Sequence, residues 1–129
     1  MNGKLNRPVQ EIKNILIIDD NQSISHLLSR FLNLKKIEHT ISNSGQNGLN
    51  LIRQNKFDAI LLDLSMPDFS GYDIIDSLEK EGRLKDENIF IFTASSIEKI
   101  VEENMLKRGI ISCIKKPIRV DELLKLLGI

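Results

Sequence analysis

Four short apolar runs in this chain each stop on residues that can do chemistry. ILII (15–18) is followed by Asp19 and Asp20, AILL (59–62) by Asp63, and IFIF (89–92) by Thr93 and the small Ala94. IISCI (110–114) is followed by Lys115 and Lys116, then Pro117. Three carboxylates brought together repel one another, which costs free energy unless something cationic sits among them. A hard divalent ion with oxygen ligands, Mg²⁺ or Mn²⁺, suits such a site, and Mg²⁺ typically takes one or two carboxylates together with phosphate oxygens and water. A lysine adds a second positive charge, and a hydroxyl adds a donor for an anionic oxygen. The set suits phosphoryl chemistry better than acyl transfer or redox work. Each residue alone is ordinary, because Asp favours turns and helix caps. The joint pattern over several run ends carries the reading.

These side chains converge only if the runs are strands that end on one rim. Continuous Ile-rich runs predict strands buried on both faces, as in a parallel sheet. IEHTIS (37–42) alternates instead, with Ile37, His39 and Ile41 on one side, and predicts an edge strand. Helical stripes lie between the runs: Ile24, Leu27, Leu28, Phe31 and Leu32; Leu49 with Ile52 after a Ser44 cap; Ile74, Ile75 and Leu78; Ile97, Ile100 and Val101 behind capping serines, ended by Gly109; and Val120, Leu123, Leu124 and Leu127. Strand and helix alternate five times, which predicts an α/β sandwich with a parallel sheet covered on both faces. In such folds the site lies beyond the carboxyl ends of the strands.

The 129 residues suit one domain. Lys plus Arg and Asp plus Glu are 18 each, so nothing favours nucleic acid or an acidic membrane. The single cysteine fits a reducing compartment, and no run is long enough to span a bilayer. Residues 1–13 lack a secretory h-region and are expected to be a polar extension. No linker or second domain is evident, so an unattached, cytoplasmic, monomeric or weakly dimeric protein is expected. EKEGRLKDE (79–87) reads as a solvated loop, and His26 and His39 as surface or edge residues without metal-ligand spacing.

Together, ILIIDD, LLDLSMPDFSG, FTAS and KKP resemble the receiver domains of two-component response regulators, in order and spacing, from about Lys13 to the C-terminus. The resemblance implies a flavodoxin-like (βα)5 fold over residues 14–129 with strand order 2-1-3-4-5. It implies that Asp63 accepts a phosphoryl group from a histidine kinase or phosphotransfer protein. Asp20 and Asp63, with Asp19 helping, would bind Mg²⁺, and the backbone carbonyl of Ser65 would add a ligand. Thr93, with Ala94 beside it, would serve the phosphoryl group and move on activation. Lys116 would pair with the phosphoryl group or with Asp63, Lys115 would be a bystander, and the bond before Pro117 would be cis. Output would pass through the face made by the fourth helix, fifth strand and fifth helix. Such a domain is a signalling module rather than an enzyme, catalysing only its own phosphorylation and dephosphorylation.

One position departs from the family pattern. Where the family usually carries Tyr or Phe, three residues before the Lys, this chain has Cys113, expected to be a small buried strand residue. The alternatives are weaker. A pseudo-receiver would not need the intact Asp19, Asp20, Asp63, Thr93 and Lys116 set. A haloacid dehalogenase-like phosphatase needs a second Asp where Ser65 stands, and a flavin protein needs a phosphate cradle where DDNQS is acidic.

Overall fold

A computed structural model describes residues 11–129, so most of the expected 1–13 extension lies outside the described residues. Five strands, β1 (Asn14–Ile18), β2 (Glu38–Ser42), β3 (Ala59–Leu62), β4 (Ile89–Thr93) and β5 (Ser112–Lys115), alternate with α1 (Gln22–Leu34), α2 (Gly45–Gln54), α3 (Gly71–Lys80), α4 (Lys99–Arg108) and α5 (Val120–Leu126). The sheet runs β2-β1-β3-β4-β5 with parallel pairing throughout. This is the flavodoxin-like order implied by the resemblance to receiver domains.

The continuous apolar runs are explained by cover on both faces. Successive side chains of a strand point to opposite faces. Leu16, Ile18, Ile60, Leu62, Ile89 and Ile91 pack with Leu49, Ile52, Ile74, Ile75 and Leu78 of α2 and α3. Ile15, Ile17, Ala59, Leu61, Phe90 and Phe92 pack with Leu28 and Leu32 of α1 and Leu123 and Leu124 of α5. β2 has a neighbour on one side only, the edge position that its alternating pattern predicts. Ser44 caps α2 by accepting from the Asn47 N–H, and Ser70 caps α3 in a reciprocal box with Asp73.

Five local expectations are corrected. α1 buries Leu28, Leu32 and Ser25 but leaves Leu27 and Phe31 exposed: the side of the helix that meets the sheet is narrower than its full apolar stripe. α4 starts only at Lys99; Ile97 precedes it, Ile100 is 72% exposed, and Met105 is the buried anchor. The serines do not cap α4, because Ser95 bonds Ser65 and Ser96 accepts from Lys115. β5 begins two residues later than its apolar run, with Ile111 exposed. The 79–87 stretch is not merely solvated: it forms a 3₁₀ turn at Leu84–Asp86 that buries Leu84, and Glu87 is buried beside it.

Candidate functional site

β1 and β3 end one register step before Asp19 and Asp63, and the Asp63 N–H donates to the Ile18 carbonyl at 3.0 Å. That pairing sets the two carboxylates side by side at the carboxyl rim. Asp19 is 2% exposed and Asp63 6%, while Asp20 faces solvent. Carboxylate oxygens of all three lie within 4.8 Å of one another. The cis bond between Lys116 and Pro117 follows β5. Lys116 Nζ lies 3.8 Å from Asp63 Oδ2, the pairing the resemblance implies, and 2.6 Å from Asp19 Oδ2, a second and nearer partner. The same ammonium sits 5.0 Å from the centre of the Phe92 ring, a cation–π contact that gives this core aromatic a place in the site.

One buried ammonium does not offset three carboxylates. Burial pushes the Asp19 carboxyl above its usual range; the Lys116 hydrogen bond and the Asn21 N–H at 2.9 Å pull back, and the Asp63 charge adds to the rise. A donor set of closely spaced oxygens with surplus negative charge fits a hard divalent cation. A raised native pKa means that folded protein holds the Asp19 proton more tightly than unfolded chain does. Its stabilising effect is complete below the unfolded value and is lost as pH rises through the native one. In EDTA, the melting temperature of wild type minus that of Asp19→Asn is therefore expected to fall as pH rises from about 4. A difference that climbs over that interval, measured by scanning calorimetry, contradicts this.

The loops behind the strands hold the site by backbone contacts. The Ser65 N–H donates to Asp63 Oδ1 at 3.2 Å. The Gly71 N–H donates to the Leu64 carbonyl at 3.1 Å, so the start of α3 presses on the Asp63–Leu64 backbone. Asp68 takes a φ of 66° in the turn between them. Thr93, 1% exposed, closes β4 and accepts from the Ser95 N–H at 3.2 Å, which leaves its own proton free to donate. Ala94 is exposed beside it. The Ser95 hydroxyl bonds the Ser65 hydroxyl, joining the loop after β3 to the loop after β4. Lys115 points away from the carboxylates and donates to Ser96 Oγ at 3.3 Å. Cys113 is half-buried on β5 rather than buried, and its thiol is pushed up to about 11, first by desolvation and then by the Glu102 charge.

Asn21, Ser95 and Phe92 are the site residues the sequence did not reveal. Only the spacing of Asn21 and Ser95, each two after an acidic or hydroxyl group, could have hinted at them, since Asx- and ST-type turns use that offset.

A family model, the response regulator receiver domain, matches residues 15–128. The chain belongs to the response regulator receiver family. Among relatives, the two-component response regulator ARR10 of Arabidopsis thaliana is 32% identical over 111 residues, covering 84% of this chain and 19% of that protein. The chain thus spans less than a fifth of the length of that plant relative. A CheY-like response regulator receiver domain protein from Methanospirillum hungatei shares the fold at a TM-score of 0.80 and 24% identity, covering 92% of both chains. The response regulator TrrA of Thermotoga maritima, solved in complex with Mg²⁺ and BeF, matches at 0.73 and 25% identity over 91% of this chain and 97% of that one. The receiver's five described helices include none long and apolar enough to cross a membrane.

Proposed function

We propose that this receiver takes a phosphoryl group onto Asp63 from the phosphohistidine of a kinase or phosphotransfer protein, in a Mg²⁺-dependent reaction. The observation that carries the reading is the buried Asp63 carboxylate at the rim, within reach of Asp19, Asp20 and the Lys116 ammonium. Asp19, Asp20, Asp63 and the Ser65 carbonyl would hold the ion, which when bound offsets negative charge on carboxylates and phosphoryl oxygens. Asp63 Oδ1 is engaged by the Ser65 N–H, which leaves Oδ2 to form the new P–O bond. The P–N bond to the donor imidazole breaks, and its electron pair stays on the ring nitrogen. Lys116, near both Asp19 and Asp63, supplies positive charge to the incoming phosphoryl oxygens, and the Thr93 hydroxyl supplies a donor. Because the strands hold these groups in place, catalysis rests on position and charge.

Incubation of the protein with acetyl phosphate and Mg²⁺ is expected to add one phosphoryl group by intact-mass spectrometry, and EDTA is expected to prevent it. Equal labelling in EDTA would remove the metal from the proposal, and no labelling in Mg²⁺ would favour a phosphorylation-independent interaction module.

Output is assigned to the face of α4, β5 and α5. Ile100 and Leu106 of α4, Ile111 before β5 and Leu126 of α5 are exposed on these elements and offer apolar surface to a partner. A cysteine is too short to carry a rotamer change from Thr93 across to that face. The moving element is then the Thr93–Glu98 loop, held by Ser65 and Lys115 side chains. With beryllofluoride as phosphoryl mimic, amide shifts are expected to be large at Ala94 to Ile97 and small at Ile111 to Ile114. Equal shifts in both segments would count against a loop-centred switch. The cytoplasm, a reducing compartment, is assigned to this chain with its lone half-buried thiol.

A further inference from the structure

Lys116 stands one residue beyond β5, and its N–H donates to the Thr93 carbonyl at 2.9 Å. That bond sets it beside the end of β4, where Phe92 pairs in register with Ile114. Phe92 is buried in the side of the core that includes α1 and α5. The Lys116 side chain is only 9% exposed, so its ammonium has given up most of its water. Three groups stand in for that water: Asp19 Oδ2 at 2.6 Å, Asp63 Oδ2 at 3.8 Å and the Phe92 ring, whose centre is 5.0 Å away.

These contacts differ in kind. An ammonium carries three N–H donors, and the short bond to Asp19 engages one of them. A ring face attracts the charge through its quadrupole and needs no aligned N–H bond to do so. An aliphatic side chain in place of Phe92 would leave the buried charge with less compensation. A polar side chain there would accept an N–H that phosphoryl oxygens need. An aromatic ring supports the desolvated ammonium and leaves its remaining donors for the rim. When Asp63 becomes an acyl phosphate, the ammonium must turn from carboxylate toward phosphoryl oxygens. The ring attraction is less directional than a hydrogen bond, so it persists through that turn.

We propose that Phe92 is a positioning residue for phosphoryl acceptance, its ring holding the Lys116 ammonium at the rim while the N–H donors change partners. This rests on the reading of Asp63 as the acceptor. The ring acts through Lys116 and touches neither donor nor acceptor oxygen in the reaction.

The test uses the full chain with phenylalanines carrying one, two and three ring fluorines at position 92. Fluorine draws charge off the ring face and changes ring volume little, so the cation–π attraction weakens stepwise while packing is kept. With acetyl phosphate and Mg²⁺, the maximal rate of labelling is expected to fall with each fluorine, about tenfold by the third, the scale of a desolvated cation–π contact. In EDTA the melting temperature is expected to fall along the same series, and to stay level across it in Lys116→Met. A packing role alone would move the melts alike in both backgrounds and leave the rate unchanged wherever every variant is folded. A flat labelling rate in folded protein, or melts that fall equally with and without the ammonium, overturns the proposal while labelled wild type keeps the acceptor reading standing. No labelling of wild type overturns both.

Discussion

Asp63→Asn is expected to accept no phosphoryl group from acetyl phosphate, and to melt at a higher temperature than wild type in EDTA. The first effect follows from the loss of the attacking carboxylate oxygen. The second follows from charge. Wild type confines three carboxylates around one ammonium. Asparagine keeps an oxygen for the Ser65 N–H, which donates to Asp63 Oδ1 in wild type at 3.2 Å. It also leaves Lys116 its nearer partner, Asp19, at 2.6 Å. Relief of like-charge repulsion at this buried rim is expected to stabilise the metal-free protein by about 1 kcal/mol. Mg²⁺ should raise the melting temperature of wild type by mass action and that of Asp63→Asn far less. Phosphoryl labelling of the folded variant at the wild-type level would move the acceptor elsewhere. An unchanged response to Mg²⁺ would mean that Asp63 does not hold the ion.

Gly71→Ala is expected to be the more damaging change to the fold. A β-carbon at residue 71 would stand 2.4 Å from the Asp63 carbonyl oxygen and 2.8 Å from Leu64 Cα. Both are backbone atoms of the segment carrying the acceptor, so no side chain can swing aside. The start of α3 must back away, straining the Gly71 N–H to Leu64 carbonyl bond. Overpacking against fixed atoms costs about 3 kcal/mol, which for a domain of this size is roughly 10 °C of melting temperature. Gly82→Ala is the matched control: nothing lies within 4 Å of its added carbon, and only its φ of 71° opposes the change. That left-handed backbone costs about 1 kcal/mol. Thermal denaturation that found the two variants equally stable would remove the close approach of α3 as a constraint on Asp63.

Most of the architecture was legible because burial on two faces leaves a signature that depends on neither partner nor register. ILII, AILL and IFIF had to be interior strands once no polar residue interrupted them, and the order β2-β1-β3-β4-β5 places all three inside the sheet, β3 at the centre with β1 and β4 on either side. The positions of Asp19, Asp63 and Thr93 follow from those runs, since a residue at the end of a parallel strand can only emerge on the common rim. The cap at Ser44 was a local matter, decided within four residues.

What the sequence could not determine was which of several adequate local options the distant chain would choose. Ser95 and Ser96 are good helix caps by type, yet their hydroxyls bond Ser65 and Lys115, and α4 begins beyond them. Leu27 and Ile100 fit apolar stripes, yet both lie outside the arc that their helices bury and are exposed. Lys116 was placed at the site, but its closer approach to Asp19 than to Asp63 is a matter of about an ångström, and the Phe92 ring 5.0 Å from its ammonium comes from another strand. A hydrogen bond between Ser29 and His39 joins a helix to an edge strand ten residues on, and neither residue carries a motif. Periodicity and strand ends are properties of a segment and can be read along the chain. Hydrogen-bond partners and charge balance are decided by competition among groups far apart in sequence, so only the tertiary structure could assign them.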